Sequence, residues 1–67
     1  MAKEDTSVVI VDDDDEFRTE LISNLNEIGY HGIQEADNTR YGLSLIEEMK
    51  PDLLFLDTSI RKIGDGV

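Results

Sequence analysis

An unbroken apolar run that ends in five consecutive acids constrains this chain more than any other feature. Val8 to Val11 are four β-forming residues, and Asp12 to Glu16 follow them directly. Because a continuous apolar run buries both faces of a strand, it predicts a central strand in a parallel sheet. We therefore expect a buried strand whose carboxyl end opens on a cluster of carboxylates.

The remaining apolar residues predict two helices. Each helix has one apolar stripe, with Leu43 broadening the second: Phe17, Leu21, Leu25 and Ile28, then Gly42, Leu45, Ile46 and Met49. Asp14 or Asp15 is expected to cap the first helix, and Gly29 to end it. Gly42 is expected where the second helix touches the sheet closely, and Pro51 closes that helix.

Three strands complete a β-α-β-α-β pattern. Residues 7–11 form the first strand, 30–36 a more polar edge strand and 53–57 the third, while the leader at 1–6 is expected to be frayed. Right-handed crossovers place the first strand between the other two. Asp57, which ends the third strand, then meets Asp12 and Asp13 at the carboxyl edge of the sheet.

Composition limits the partners that such a chain can bind. The 67 residues allow one domain, and 16 acids against six bases give a formal net charge of −10. This charge argues against direct binding to nucleic acid or to an anionic membrane, and it favours a cation or a basic surface. No apolar run approaches the roughly 20 residues of a membrane span, so a soluble, cytoplasmic protein is predicted.

Several short motifs occur together in a fixed order between residues 7 and 57. They are the acid pair Asp12 and Asp13 after an apolar strand, Glu16-Phe17-Arg18, Ile28-Gly29-Tyr30, Glu35-Ala36, and Lys50-Pro51-Asp52 leading into Leu53 to Asp57. In this order and spacing the chain resembles the receiver domains of two-component response regulators. The resemblance implies a flavodoxin-like parallel α/β sheet, here truncated to β-α-β-α-β with strand order 2-1-3.

The resemblance also implies a chemistry and its residues. Asp57 would accept a phosphoryl group, and Asp12 and Asp13 would hold Mg²⁺ with the backbone carbonyl of Ser59 as a third protein ligand. Asp13, Asp57 and Ser59 are expected to bind the cation directly, and Asp12 through water. A sensor histidine kinase or a phosphotransfer protein would be the partner of the complete domain.

Two departures from the receiver pattern qualify this interpretation. Residues 1–67 are expected to be the N-terminal part of one receiver domain, ending where the third helix would begin. The hydroxyl residue after the fourth strand and the lysine after the fifth would then be missing, so the fragment is not expected to be competent alone or to act as an enzyme. The loop Ile60–Gly66 lacks the proline of many relatives, and we favour solvated Arg61 and Lys62 over the alternative that they partly replace the missing cationic stabilisation.

Other interpretations remain beside the receiver hypothesis. For Asp14, Asp15 and Glu16, helix capping within a solvated acidic turn fits as well as a role in the acidic site. The main alternative function is an acidic metal-binding or self-associating half-domain without phosphotransfer. An EF-hand is rejected because Phe17 occupies the position of its sharp-turning glycine. A flavin site is rejected because five acids would repel its phosphate, and His31 is interpreted as an exposed edge residue rather than a phosphodonor.

The third strand also predicts self-association. The sequence of residues 53–56, Leu-Leu-Phe-Leu, contains no charge and no proline. An open strand edge of this kind pairs readily with another chain. We therefore expect a homodimer joined near residues 52–60, whose strand direction the sequence leaves open.

Overall fold

The apolar run near the start of the chain forms the middle strand of a parallel sheet. The computed structural model describes residues 2–57. Its elements in chain order are a 3₁₀ helix Lys3–Asp5, β1 Ser7–Val11, α1 Asp15–Glu27, β2 Gly32–Ala36, α2 Thr39–Met49 and β3 Leu53–Leu56. Both β2 and β3 run parallel to β1, in the order β2-β1-β3. The predicted truncated flavodoxin-like fold with strand order 2-1-3 is confirmed.

Burial of both faces of β1 divides the core into two layers. Its residues Val8 to Val11 are at most 1% exposed. Val8 and Ile10 pack with Leu25 of α1 on one face. Val9 and Val11 pack with Leu45 of α2 on the other face. One helix therefore covers each face of the central strand, as the uninterrupted apolar run predicts.

Helix α1 begins and ends as its sequence predicts. The Asp14 side chain accepts a hydrogen bond of 3.1 Å from the Phe17 N–H and caps the helix. Gly29 follows the helix with a φ of 111°, a conformation that glycine adopts without strain. The Gly29 N–H donates to Asn26 and the Tyr30 N–H to Leu25, the paired bonds of a Schellman motif.

The apolar stripe of α1 is only partly buried, so the prediction of one continuous buried stripe is wrong. Leu25 is buried, and Leu21 packs partly against the same cluster. Phe17 and Ile28 are 48% and 55% exposed. Ile28 is the C-cap residue, where the chain leaves the helix. Phe17 lies in the first turn, near the carboxyl end of the sheet and on the side of β3.

Helix α2 packs closely on the sheet through Gly42. Gly42 and Leu45 are buried, and Ile46 and Met49 pack at the margin of the same cluster. Leu43 is 46% exposed, so it does not broaden the buried face as predicted. The helix ends at Met49, before Pro51, and Lys50 takes a left-handed conformation with its N–H donating to Ile46. The predicted close contact of Gly42 with the sheet is confirmed: a β-carbon added there would lie 2.7 Å from Val11 Cγ2.

The leader is ordered from Ala2 onward and not frayed as predicted, because local hydrogen bonds and one tertiary bond hold it. The buried Thr6 hydroxyl donates to the Ala2 carbonyl at 2.9 Å. The Ser7 N–H donates to Asp52 Oδ2 at 2.9 Å, which ties the start of β1 to the start of β3. The Lys3 ammonium lies 5.8 Å from the centre of the Tyr30 ring, within the range of a cation–π contact.

Neither helix between residues 2 and 57 has the length and apolar character that crossing a bilayer requires.

We predict that Gly42→Ala destabilises the fold by about 1–3 kcal/mol, because overpacking against the branched, fully buried Val11 outweighs the gain of roughly 1 kcal/mol in helix propensity. Urea denaturation followed by circular dichroism measures the difference. Ser44→Ala, at an exposed position of the same helix, is the control and should be near neutral. A Gly42→Ala variant as stable as the parent would contradict the close packing.

Candidate functional site

Three carboxylates converge where β1 and β3 end. Asp12 and Asp13 follow β1, and Asp57 follows β3. One carboxylate oxygen from each lies within 4.8 Å of the others. Asp12 is buried at 6% exposure, Asp57 is half-buried and Asp13 is exposed. The structure therefore brings together the three acids that the sequence singled out, with one oxygen-rich opening toward solvent.

Backbone hydrogen bonds that continue the sheet set the position of this cluster. The Asp12 N–H donates to the Ala36 carbonyl at 3.0 Å, which extends the β1–β2 pairing by one residue. The Asp57 N–H donates to the Val11 carbonyl at 3.0 Å and does the same for β1 and β3. The two acids are thus fixed by the most buried part of the molecule rather than by a free loop.

The acid run divides into groups with different contacts. Asp12 Oδ1 accepts a hydrogen bond of 2.8 Å from the Asp14 N–H, so one of its oxygens is already engaged. Asp14 caps α1, as one interpretation of the sequence held, while Asp15 pairs with Arg18. Glu16 is exposed in the first turn of the helix. Only Asp12 and Asp13 of the five acids belong to the carboxylate cluster.

Arg18 holds the acidic turn in place, a role that the sequence did not reveal. Its Nη1 donates to the backbone carbonyl of Asp12, its Nε donates to Glu35 Oε1 at 2.8 Å, and its Nη2 pairs with Asp15. The side chain is only 11% exposed. Glu16-Phe17-Arg18 and Glu35-Ala36 were recognised as motifs, but nothing in their spacing shows that one guanidinium joins them.

The contacts of Arg18 also fix its charge state. The hydrogen bond that Arg18 donates to Glu35 is the main cause that raises the pKa of the Arg18 guanidinium, with Asp15 adding to it and burial opposing it. A folded-state pKa raised above the ordinary arginine value gives stability that is lost only at still higher pH. The Arg18 guanidinium therefore stays protonated, and available as a hydrogen-bond donor, at neutral pH.

An apolar pocket borders the carboxylate cluster. It has a volume of about 410 Å³, and Asp12 and Asp57 form its polar margin. Its remaining lining comes from β1, α1 and β3: Ile10, Val11, Phe17, Leu21, Phe55 and Leu56. The site thus joins a small charged opening to an apolar wall made largely by two exposed aromatic rings.

Other residues considered in the sequence analysis are not part of the site as described. Ser59, whose carbonyl was predicted as a metal ligand, lies outside the described residues, as do Arg61 and Lys62. His31 is exposed, and its Nδ1 lies 3.0 Å from Asn26 Oδ1, beyond the other end of the sheet. The interpretation of His31 as an exposed edge residue is confirmed.

We predict that Arg18→Gln lowers the free energy of unfolding by about 1–2 kcal/mol, because charge-assisted bonds to Asp12 and Glu35 are lost while both acceptors remain partly solvated. Thermal denaturation measures the effect. Arg40→Gln removes the same charge from an exposed position of α2 and should change stability little. Equal effects of the two substitutions would show that net charge, and not the contacts of Arg18, is responsible.

Comparison with known proteins agrees with this geometry. Residues 8–67 match the family model described as "Response regulator receiver domain". The transcriptional regulatory protein AfsQ1 of Streptomyces coelicolor is 38% identical over 60 residues, covering 90% of this chain and 26% of that protein. An uncharacterised response regulatory protein of Yersinia pestis is 37% identical over 60 residues, covering 85% of this chain and 24% of its own length.

A third relative and the solved structures complete the comparison. An uncharacterised response regulatory protein of Vibrio parahaemolyticus is 34% identical over 58 residues, covering 85% of this chain and 24% of its own length. The chain thus spans about a quarter of the length of the curated relatives it matches. No solved structure matches significantly. Since the family model covers nearly the whole chain, the protein belongs to the response regulator receiver domains of two-component systems.

Proposed function

We propose that this chain carries the phosphoacceptor site of a receiver domain, with Asp57 accepting the phosphoryl group beside a Mg²⁺ ion held by Asp12 and Asp13. The observation that carries the proposal is the convergence of three carboxylates, with oxygens within 4.8 Å of one another, at the carboxyl edge of a parallel sheet. Membership of the family supplies the reaction class.

The donor set fits Mg²⁺. This ion prefers octahedral oxygen coordination and keeps several waters, so two or three protein oxygens are enough to bind it. Asp13 is exposed and able to bind directly, whereas Asp12 already accepts a bond from the Asp14 N–H and is assigned a contact through water. When bound, the ion supplies the positive charge that offsets repulsion between the carboxylates and a phosphoryl group. Ser59, outside the described residues, completes the proposed ligand set through its carbonyl.

The proposed reaction is a transfer between two protein side chains. A carboxylate oxygen of Asp57 attacks phosphorus, an O–P bond forms, and the P–N bond of a phosphohistidine on a kinase or phosphotransfer protein breaks. The imidazole leaves with the bonding electrons and takes up a proton. The backbone hydrogen bond from Asp57 to Val11 anchors the attacking residue to the sheet.

Efficient transfer needs more than these three acids. In phosphoryl transfer, positioning and charge neutralisation dominate catalysis. The receiver resemblance implies a hydroxyl residue and a lysine from two later strands, and residues 1–67 are proposed to supply only the first part of that domain. The same assignment implies a cytoplasmic protein. Phosphotransfer is therefore proposed for the complete receiver rather than for these residues alone.

We predict that millimolar Mg²⁺ raises the melting temperature of the chain. Close carboxylates repel one another, and an ion bound only by the folded state stabilises it by about 1.4 kcal/mol at a concentration ten times its dissociation constant. Thermal unfolding across a Mg²⁺ titration, at constant ionic strength, measures the shift.

Two variants that each remove one negative charge distinguish Mg²⁺ binding at the cluster from a general effect of the acidic surface. Asp13→Asn should lose most of the response to Mg²⁺, whereas Glu16→Gln, outside the cluster, should keep it. An unchanged melting temperature in millimolar Mg²⁺, or equal responses from both variants, would refute the metal site.

We predict that a small phosphodonor such as acetyl phosphate labels the 67-residue chain very little, and labels it strongly when the remaining receiver elements of a relative are fused after Val67. The reason is that those elements supply the missing positioning and charge. Intact mass spectrometry at neutral pH with Mg²⁺ measures incorporation of one phosphoryl group.

The control for this experiment uses an acid at the other end of β3. In the fused chain Asp57→Asn should abolish labelling, while Asp52→Asn should leave the site intact, because Asp52 bonds to Ser7 far from the cluster. Labelling that survives Asp57→Asn would exclude Asp57 as the acceptor and favour the non-phosphorylated, metal-binding alternative. Equal labelling of the short and the fused chain would overturn the need for the later elements.

A further inference from the structure

Arg18 joins three parts of the chain around the turn that follows β1. Its Nη1 donates to the Asp12 carbonyl, its Nε donates to Glu35 Oε1 at 2.8 Å, and its Nη2 pairs with Asp15. These acceptors belong to the turn after β1, to strand β2 and to the first turn of α1. One side chain with 11% exposure therefore connects three elements at the carboxyl edge of the sheet.

These contacts lie on the side of β1 that faces away from β3. β2 and β3 flank β1 on opposite edges, and Glu35 belongs to β2. Every acceptor of Arg18 named above is within residues 2–57. The proposed function places the later strands of the domain beyond β3, so those strands would leave the contacts of Arg18 as they are.

The bond from Arg18 to the Asp12 carbonyl restrains the peptide group between Asp12 and Asp13. The Asp12 N–H donates to Ala36, and Asp12 Oδ1 accepts from the Asp14 N–H, so this residue is also held on its other sides. Because a peptide group is planar, a fixed carbonyl sets the direction in which the next residue leaves it. The Asp13 side chain is exposed and not held by packing, so the backbone places its carboxylate.

The arrangement uses the planar fork of donors that a guanidinium provides. Three nitrogen atoms of Arg18 are directed at acceptors on three different segments. A lysine ammonium carries the same charge, but it is a compact donor on a flexible stem and does not reproduce this fork. Replacement of Arg18 by lysine therefore separates its geometry from its charge.

We propose that Arg18 is a positioning residue for the Mg²⁺ site: it holds the peptide group between Asp12 and Asp13 and so presents the Asp13 carboxylate to the cation. This inference rests on the proposed function, which gives Asp13 its direct contact with Mg²⁺. The cluster is compact, with one oxygen of each acid within 4.8 Å of the others, so a small displacement of Asp13 disrupts it. Replacing a residue that orients a metal ligand typically weakens metal binding by about 10- to 100-fold.

The charge of Arg18 by itself has the opposite effect on Mg²⁺ binding. A guanidinium beside the cluster repels a divalent cation, so removal of its charge alone should strengthen binding. Removal of its positioning contacts should weaken binding. The direction in which the Mg²⁺ dissociation constant changes therefore distinguishes the two roles.

A Mg²⁺ titration of the isotope-labelled chain, followed by the NMR amide signals of Asp13 and Asp57 at constant ionic strength, measures this constant for the folded protein. Arg18→Lys should raise it roughly tenfold. Arg18→Gln should raise it less, because losing the positive charge offsets part of the effect. Arg40→Lys, at an exposed position of α2, is the matched control and should leave the constant unchanged.

Two further measurements separate positioning from general stability. Asp52→Ala removes a hydrogen bond at the other end of the sheet, and it should lower stability while leaving the Mg²⁺ dissociation constant unchanged. Without metal, the NMR order parameter of the Asp13 amide should fall from about 0.85 in the parent to below about 0.6 in Arg18→Lys. Arg18→Gln takes the place of Arg18→Lys in both measurements should the lysine variant fail to fold by circular dichroism.

The outcomes distinguish this inference from the proposed function on which it rests. A parent chain that binds no Mg²⁺ would refute the metal site and the role of Arg18 together. A parent that binds Mg²⁺ no more tightly than Arg18→Lys, or an Asp13 order parameter equal in the two, would overturn the positioning role alone. Tighter binding by Arg18→Gln than by the parent would likewise overturn it and assign Arg18 a purely electrostatic effect.

Discussion

Burial of both faces of β1 is the constraint on which the rest of this structure depends. A strand with four consecutive apolar residues at no more than 1% exposure needs a helix on each side and a strand on each edge. The chain supplies these in order, and right-handed crossovers leave β1 in the middle. The contact of Gly42 with Val11 shows how tightly one of these layers is held.

The carboxylate cluster inherits its geometry from the same strand. Asp12 and Asp57 are attached to the sheet by backbone bonds to Ala36 and Val11, so two like charges are held close by a buried framework. The repulsion between these two charges is unfavourable, and the stability of the buried framework offsets it. Arg18 places a positive charge beside the acidic turn and binds the Asp12 carbonyl and Glu35, without entering the cluster itself.

The same architecture leaves the side chains of β3 exposed within residues 2–57. β1 is enclosed because it lies between two strands, whereas within residues 2–57 β3 pairs with β1 alone. Phe55 and Leu56 consequently form the apolar wall beside Asp12 and Asp57. The carboxylate cluster and the apolar side chains at the end of β3 are therefore adjacent.

The sequence by itself determined the elements, their order and the identity of the clustered acids. Local signals were enough for this: the apolar run of β1, a cap at Asp14 or Asp15, the glycine after α1 and the acid that ends β3 are each readable within a few residues. The cluster followed because parallel strands present their carboxyl ends at one edge.

Only the tertiary structure decided which apolar side chains are covered and which cation holds the acidic turn. Helical spacing assigned Phe17 and Leu43 to buried faces, but burial depends on where each helix lies over the sheet, and both are exposed. The bonds from Arg18 to Asp12 and Glu35 join parts of the chain up to 17 residues apart, a distance over which periodicity carries no information.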